Sequence, residues 1–321
     1  MSNPRIEVRP LRYFVAVVDA GSLSRAAVNL HLAQPALSQQ MAQLERMLGV
    51  QLLVRSKLGV RPTASGTALY RHAQAVLNLV GQTADIARGA GRDVSGRVRL
   101  GLPSSLTIVL AAPLLRAVRA HLPGVRLELY ESPSAYLAPQ LLDERVDMSI
   151  LVEDAGAGGL HRVPLVDEIL FFAASRKPRQ PAFGAPMPLA RLAGTPLVMT
   201  TRATTLRMLL DRMFEQAGIV PLIHAEVSSI PTMVRLVEDG LIGTIVPGSA
   251  LASPSTASAL IAHPITPRIV RTATLACSQT IPLSAASERV RSLLMQTVVD
   301  LVTAGSWPGA GLADAPAPAA R

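Results

Sequence analysis

The chain has 321 residues, of which 49% are hydrophobic but only 3% aromatic, so we expect an aliphatic core and two or three domains. Its one cysteine, Cys277, excludes an intrachain disulfide and a cysteine-built metal site, and no two histidines have the spacing of helical metal ligands. No signal peptide and no membrane-spanning apolar run are visible in the sequence. We therefore expect a cytoplasmic protein without a membrane partner, metal or cofactor.

The net charge of +9 is concentrated at the N-terminal end. Residues 1–92 hold eleven Lys and Arg but four Asp and Glu, a net charge of +7, and the rest of the chain carries +2. A basic segment on a near-neutral body indicates a polyanion as the partner of that segment. The alternative is a basic surface that serves solubility.

The first 62 residues have the pattern of a winged helix-turn-helix. An apolar stripe predicts a helix over residues 11–20 that ends at Gly21, and Ser22 or Ser24 can cap a second helix. A short turn then leads into a third helix with Pro35 in its first turn. Two extended runs after Gly49 predict a β-hairpin wing, residues 51–55 and 60–62.

The third helix has an apolar face and an uncharged polar face. The apolar residues Leu37, Met41, Leu44 and Leu48 recur at helical spacing, and the opposite face carries amides and a hydroxyl. Such groups can read base edges in the major groove while nearby cations hold phosphates. The alternative is a glutamine-rich face that is merely solvated.

These patterns predict that double-stranded DNA is the partner. The expected contacts are the polar residues of the third helix, an apolar contact from its proline, and hydroxyl or cationic residues of the wing and second helix. They are Gln34, Pro35, Ser38, Gln39, Gln43, Arg55, Lys57, Arg61, Ser24 and Arg25.

Residues 63–92 are predicted to form a dimerising linker helix, capped by Thr63. Its small and apolar residues alternate at steps near four and three, as in a coiled-coil seam: Leu69, Ala73, Val76, Val80, Thr83 or Ala84, and Ala87. A dimer would place two recognition helices on half-sites one helical turn apart and predicts an inverted repeat. The alternative is an amphipathic helix that packs on its own core.

The stretch GSLSRAAVNLHLAQPALSQQMAQLERMLGVQLLVRSKLGVRPTASGTALYRHA resembles the N-terminal domain of LysR-type transcriptional regulators, and the similarity continues to about residue 303. The AQPALSQQ helix and the QLLVRSKLGVRPT wing are most similar to the nitrogen assimilation control branch. This resemblance implies a winged helix-turn-helix, a dimerising helix and a periplasmic-binding-protein-like effector domain. It also implies a homodimer or homotetramer on an inverted repeat near a promoter, with RNA polymerase as a further partner.

The resemblance assigns DNA reading to Gln34, Pro35, Ser38 and Gln39, with Arg55 in the wing. Ala33 stands where many members of the family have Ser, so the recognition helix lacks the usual side-chain cap. Gln39 stands where Arg is frequent, and because Gln favours adenine we expect an A/T-rich site.

Residues 93–305 alternate strands with helices, which predicts two α/β lobes around parallel sheets. We assign lobe I to about 93–167 plus 272–305 and lobe II to about 168–271, so the fold class is α/β overall. The tail, 306–321, is rich in Ala, Pro and Gly and is predicted to be disordered.

Helix N-termini at the strand ends would face the cleft between the lobes, where they can bind a small acidic or polar effector. The predicted effector-binding residues are Ser104, Ser105, Ser132, Thr201, Arg202, Thr204 and Ser228, with Arg202 able to pair with a carboxylate. Ordinary helix caps are the alternative for each of them.

Three other functions compete with this interpretation. An enzyme is not expected, because GxSxG and GxxxxGK[ST] motifs are absent and Cys277 lies in a strand run, so no catalytic residue is assigned. A solute-binding protein should carry an export signal, and a helix-turn-helix used only for protein contacts would lack salt-dependent DNA binding. We therefore expect a sequence-specific DNA-binding transcriptional regulator, either an activator or a repressor.

Overall fold

The computed structural model describes residues 6–56, 59–88, 94–152, 158–177, 179–240 and 242–313. The chain divides into two compact units, Met1–Arg92 and Asp93–Arg321, each with its own hydrophobic core. Within the described part of the chain, no helix combines the length and hydropathy needed to cross a membrane.

The first unit is the predicted winged helix-turn-helix followed by a long helix. Its elements are α1 Val8–Ala20, α2 Leu23–Asn29, α3 Gln34–Leu48, β1 Leu53–Ser56, β2 Gly59–Pro62 and α4 Ala64–Arg88. Gly21 and Gly49 end α1 and α3 in the left-handed conformation, as the sequence predicts. Burial of Phe14, Leu37 and Met41 holds the helices together, and each such side chain contributes about 1.5–3 kcal/mol.

The second unit contains two α/β lobes that share one strand. Its elements are β3 Ser95–Leu102, α5 Ser104–His121, β4 Gly124–Glu131, α6 Ser134–Leu142, β5 Met148–Val152, β6 Leu160–Ser175, β7 Met187–Pro188, β8 Pro196–Thr200, α7 Thr205–Gln216, β9 Leu222–Val227, α8 Ile230–Glu238, β10 Gly243–Pro247, α9 Pro254–Ala259, β11 Leu260–Thr266, β12 Val270–Ser278, α10 Ala285–Thr303 and β13 Ala310–Leu312. Two short 3₁₀ helices, Leu189–Leu192 and Gly248–Leu251, complete it.

The sheet order is β4-β3-β5-β12-β6-β10-β8-β9, and β6 belongs to both lobes. Residues 160–169 of β6 pair with β12 in lobe I, and residues 170–173 pair with β10 in lobe II. Strands β3, β4 and β5 are parallel in one lobe and β8, β9 and β10 in the other, which confirms the predicted α/β class.

The structure corrects the prediction for the C-terminal tail. Residues 306–313 are ordered against the sheet: Trp307 is buried in the lobe I core and β13 pairs antiparallel with residues 166–168 of β6. The proline- and alanine-rich composition predicted disorder. Composition does not show that one buried indole and a three-residue strand are enough to hold this segment in place. The rest of the predicted tail, 314–321, lies outside the described residues.

Candidate functional site

The recognition helix α3 presents the predicted polar face to solvent. Leu37, Met41 and Leu44 are fully buried on its inner side. On the outer side, Gln34, Pro35, Gln39 and Gln43 are exposed and Ser38 is half-buried. The structure therefore leaves each predicted base-reading residue of α3 at least partly accessible to a partner.

A hydrogen bond joins this surface to the wing. The Nη1 atom of Arg55, on β1, donates to the Oγ atom of Ser38 over 2.9 Å. The bond holds the guanidinium of Arg55 beside Ser38 of α3 and uses one of its five N–H donors. A cation placed there can meet a phosphate while α3 lies in a groove.

The wing contacts the helices at both of its ends. Oε1 of Glu45, in α3, accepts hydrogen bonds from the backbone N–H groups of Leu52 (2.8 Å) and Leu53 (3.0 Å). At the hairpin, Gly59 has φ +119° and a Cβ built there would lie 2.5 Å from the carbonyl oxygen of Gly21, so only glycine fits. The sequence showed no signal for Glu45, because an acidic residue near a helix end is ordinarily a solvated one.

Three of the four remaining predicted DNA contacts lie among the described residues. Ser24 and Arg25 are exposed in the first turn of α2, which is capped by Ser22 rather than Ser24, and Arg61 is exposed on β2. Lys57 lies outside the described residues. The N-cap of α3, Ala33, makes no side-chain cap bond, as its sequence predicts.

The core of the first unit covers only part of the apolar face of the linker helix α4. Thr63 caps it as predicted, with its Oγ1 accepting from the N–H of Gly66 at 2.9 Å. Ala73 is buried and Leu69 packs on the core of the unit, so the first turns follow the amphipathic alternative. Val76 and Val80 lie about one and two turns beyond Ala73 on the predicted seam. Their side chains are 37% and 40% exposed.

In the second unit, four helix N-termini meet at a narrow cleft between the lobes. Its cavity encloses about 40 Å³ and is lined by the first residues of α5, α6, α7 and α8 together with their strand ends. Of the predicted effector-binding residues, Ser104, Ser105, Thr204 and Ser228 line it. Ser134, the first residue of α6, and Thr200, the last residue of β8, also line it.

The other predicted effector-binding residues lie elsewhere. Arg202 is exposed, and Ser132 and Thr201 are half-buried, outside the lining of the cavity. Arg202 does not line this cavity, because the turn before α7 directs Thr204 inward as the helix cap and leaves Arg202 in solvent.

The cation at this cleft is Arg271 instead. Arg271 is 4% exposed, lines the cavity and donates from Nη2 to the Oγ of Ser105 (2.8 Å). Its Nε and Nη2 atoms also donate to Oε1 of Glu168, at 2.9 and 2.5 Å, and Glu168 is completely buried. The sequence signal for this network is an arginine at the edge of an apolar strand run. An arginine in such a place is buried, and buried charges are almost always paired with an opposite charge.

A winged helix-turn-helix unit with an accessible polar recognition helix, joined to a two-lobed α/β unit, defines a helix-turn-helix transcriptional regulator. Residues 8–67 match the family model "Bacterial regulatory helix-turn-helix protein, lysR family" and residues 91–298 match "LysR substrate binding domain". The chain therefore belongs to the LysR family of DNA-binding transcriptional regulators, and it is a regulator rather than an enzyme.

Similar proteins span almost the whole chain. The nitrogen assimilation regulatory protein nac of Escherichia coli (strain K12) is 33% identical over 292 residues, 90% of this chain and 94% of the relative. The protein of that name from Klebsiella aerogenes is 34% identical over 295 residues, 91% and 95% of the two chains. The structure of full-length CbnR complexed with its target DNA has a TM-score of 0.63 at 26% identity, covering 92% of this chain and 99% of that one. The resemblance to this family and to its nitrogen assimilation branch is confirmed.

Proposed function

We propose that this LysR-family regulator binds an inverted repeat in promoter DNA as a homodimer or homotetramer, with α3 of each subunit in a major groove. The observation that carries the proposal is that the amides of Gln34, Gln39 and Gln43 on α3 are exposed, beside an arginine that donates to Ser38. Side-chain amides can form paired hydrogen bonds with adenine. The similarity to CbnR, solved with its target DNA, supports the same use of this unit.

In this proposal, bases and phosphates are contacted by different residues. Gln34, Ser38, Gln39 and Gln43 read base edges and Pro35 makes an apolar contact. The cations Arg25, Arg55, Lys57 and Arg61, with Ser24, contact the phosphate backbone or the minor groove. Because phosphate contacts release counterions, log K should fall with log[salt] by about 0.9 per contact.

Two substitutions separate the roles. Gln39→Ala should cost roughly 1–3 kcal/mol at one base pair of each half-site and relax the preference there. Arg61→Ala is the matched control: it should weaken binding to all sequences alike and make the salt dependence shallower by about one contact. Both are measured by titrating the variants against a set of single-base-substituted duplexes. An unchanged base preference in Gln39→Ala would refute the assignment of α3.

We further propose that the cleft of the second unit binds a small acidic or polar effector. Support comes from the convergence of four helix N-termini, whose dipoles favour negative charge, and from the arginine that lines the cavity. Screening small carboxylic acids for a rise in the Tm of the full-length protein tests this role. Bound to promoter DNA, the regulator would then act on RNA polymerase.

A further inference from the structure

The C-terminal segment Trp307–Leu312, here called the strap, crosses the point where β6 passes from one lobe to the other. β13 pairs with residues 166–168 of β6, and the N–H of Ile169 donates to the carbonyl oxygen of Gly309 at 3.1 Å. A Cβ built on Gly248 would lie 1.7 Å from the carbonyl oxygen of Pro308, so the strap also touches lobe II closely. The strap therefore contacts both lobes at their junction.

The strap shares a carboxylate with the arginine of the cleft. Oε2 of Glu168 accepts from Nε1 of Trp307 (3.1 Å) and from the N–H of Ser249 (2.9 Å). Oε1 of the same group accepts both bonds from Arg271. Donors from three segments thus converge on one side chain with 0% exposure. The orientation of Glu168 fixes where Arg271 can lie, because a buried charge must keep its partners.

We propose that Trp307 is a positioning residue for the effector cleft: through Glu168 it holds Arg271 against Ser105 at the N-terminus of α5. The indole N–H fixes one oxygen of the carboxylate, and the other oxygen orients the guanidinium. The strap thereby sets the geometry of the cleft from the opposite side of β6. This inference rests on the proposed role of the cleft, but its test needs no effector and can fail independently of effector or DNA binding.

Trp307→Phe tests the proposal because it removes the N–H and keeps an aromatic ring in the core. Leu312→Ala is the control, since Leu312 belongs to the same strap but is 49% exposed. Hydrogen exchange of the full-length variants is followed by mass spectrometry. We expect exchange about tenfold faster in peptides that cover residues 104–110, 166–170 and 248–251 of Trp307→Phe, and unchanged exchange in α10 and in the control.

Other outcomes overturn the proposal. A uniform rise that includes α10 would mean that Trp307 only stabilises the fold. A rise confined to residues 307–313 would mean that the strap does not reach the cleft. No change at any peptide would mean that its bond to Glu168 is dispensable.

A second pair of variants tests whether a change in the cleft reaches Trp307. Trp307 is the single tryptophan of the chain, so its fluorescence reports on the strap alone. Ser105→Ala removes the cleft end of the network and should change the emission of Trp307, because coupling between two sites is reciprocal. Ser149→Ala, an equally buried serine that bonds to the carbonyl of Gly101 instead, should leave it unchanged. Identical spectra for both variants would refute the coupling.

Discussion

Single side chains of the first unit decide whether the wing stays beside the recognition helix. Glu45 accepts two backbone hydrogen bonds from the strand that carries Arg55. We expect Glu45→Ala to lower the free energy of unfolding by about 1–3 kcal/mol, because two N–H groups lose their acceptor. Urea denaturation measures the effect. Glu45→Gln, which keeps an acceptor oxygen at the same reach, should lose much less, and equal losses for the two variants would contradict the account.

The solitary cysteine has a protected thiol. Burial raises the pKa of Cys277, and the nearby Arg291 opposes this only in part. Because the thiolate is the reactive form, its fraction at pH 8 is below that of a free cysteine and grows as the pH rises. We expect iodoacetamide to modify the native protein far more slowly than the protein in urea. Equal rates in the two states would show that the thiol is accessible.

The exposure of the polar residues of α3 could be predicted from the sequence, whereas the charged network of the cleft could not. Gln34, Gln39 and Gln43 follow from helical periodicity alone, since the opposite positions are apolar. Arg271 and Glu168 lie far apart in the sequence, and only the pairing of β6 with β12 brings them together. Local patterns contain no information on such a pairing, so the sequence analysis assigned the cation of the cleft to Arg202.

Among the helices and strands, α4 has an apolar face that the core of its own unit covers only in part. Val76 and Val80 lie on the predicted seam and are exposed in a single copy. A second copy of the helix would bury them, as in a coiled coil. This arrangement is the basis of the proposed homodimer.

We expect Val80→Asp to shift the protein toward the monomer on a calibrated sizing column, because a buried carboxylate without a partner is unfavourable in a seam. The matched control is Val299→Asp on α10, where the valine is 38% exposed against 40% for Val80. The control should elute as the unsubstituted protein does. Val80→Asp eluting with it would exclude α4 as the contact between subunits.

Helices and strands with strong periodicity were predictable, and the connections that depend on long-range packing were not. The sequence pattern predicts helices over residues 106–121, 205–217 and 285–302, each within two residues of the observed bounds of α5, α7 and α10. The same pattern predicts a strand over residues 169–174, which is only the second half of β6, because polar and charged residues such as His161 and Arg162 interrupt the apolar run in residues 160–168. The long strand β12 supplies the backbone hydrogen bonds for residues 160–169, the first half of β6. A local sequence pattern does not reveal such a pairing.

At the scale of the whole molecule, the chain combines a DNA-binding unit with a two-lobed regulatory unit. The charge follows this division, since the basic residues are concentrated in residues 1–92 while the second unit is nearly neutral. In the second unit, strand β6 runs through both lobes and the C-terminal strap contacts both of them at their junction. A ligand in the cleft would therefore act on the junction that fixes the two lobes.

The central claim is that two copies of the basic unit read neighbouring turns of one duplex. The most direct measurement is the affinity of the full-length protein, over a series of salt concentrations, for an inverted repeat selected from genomic DNA. A shuffled duplex of the same composition and heparin serve as competitors. We predict a preference for the repeat of at least about 10³-fold over the shuffled duplex that persists as salt rises. Equal affinity for the repeat, the shuffled duplex and heparin at every salt concentration would contradict the account.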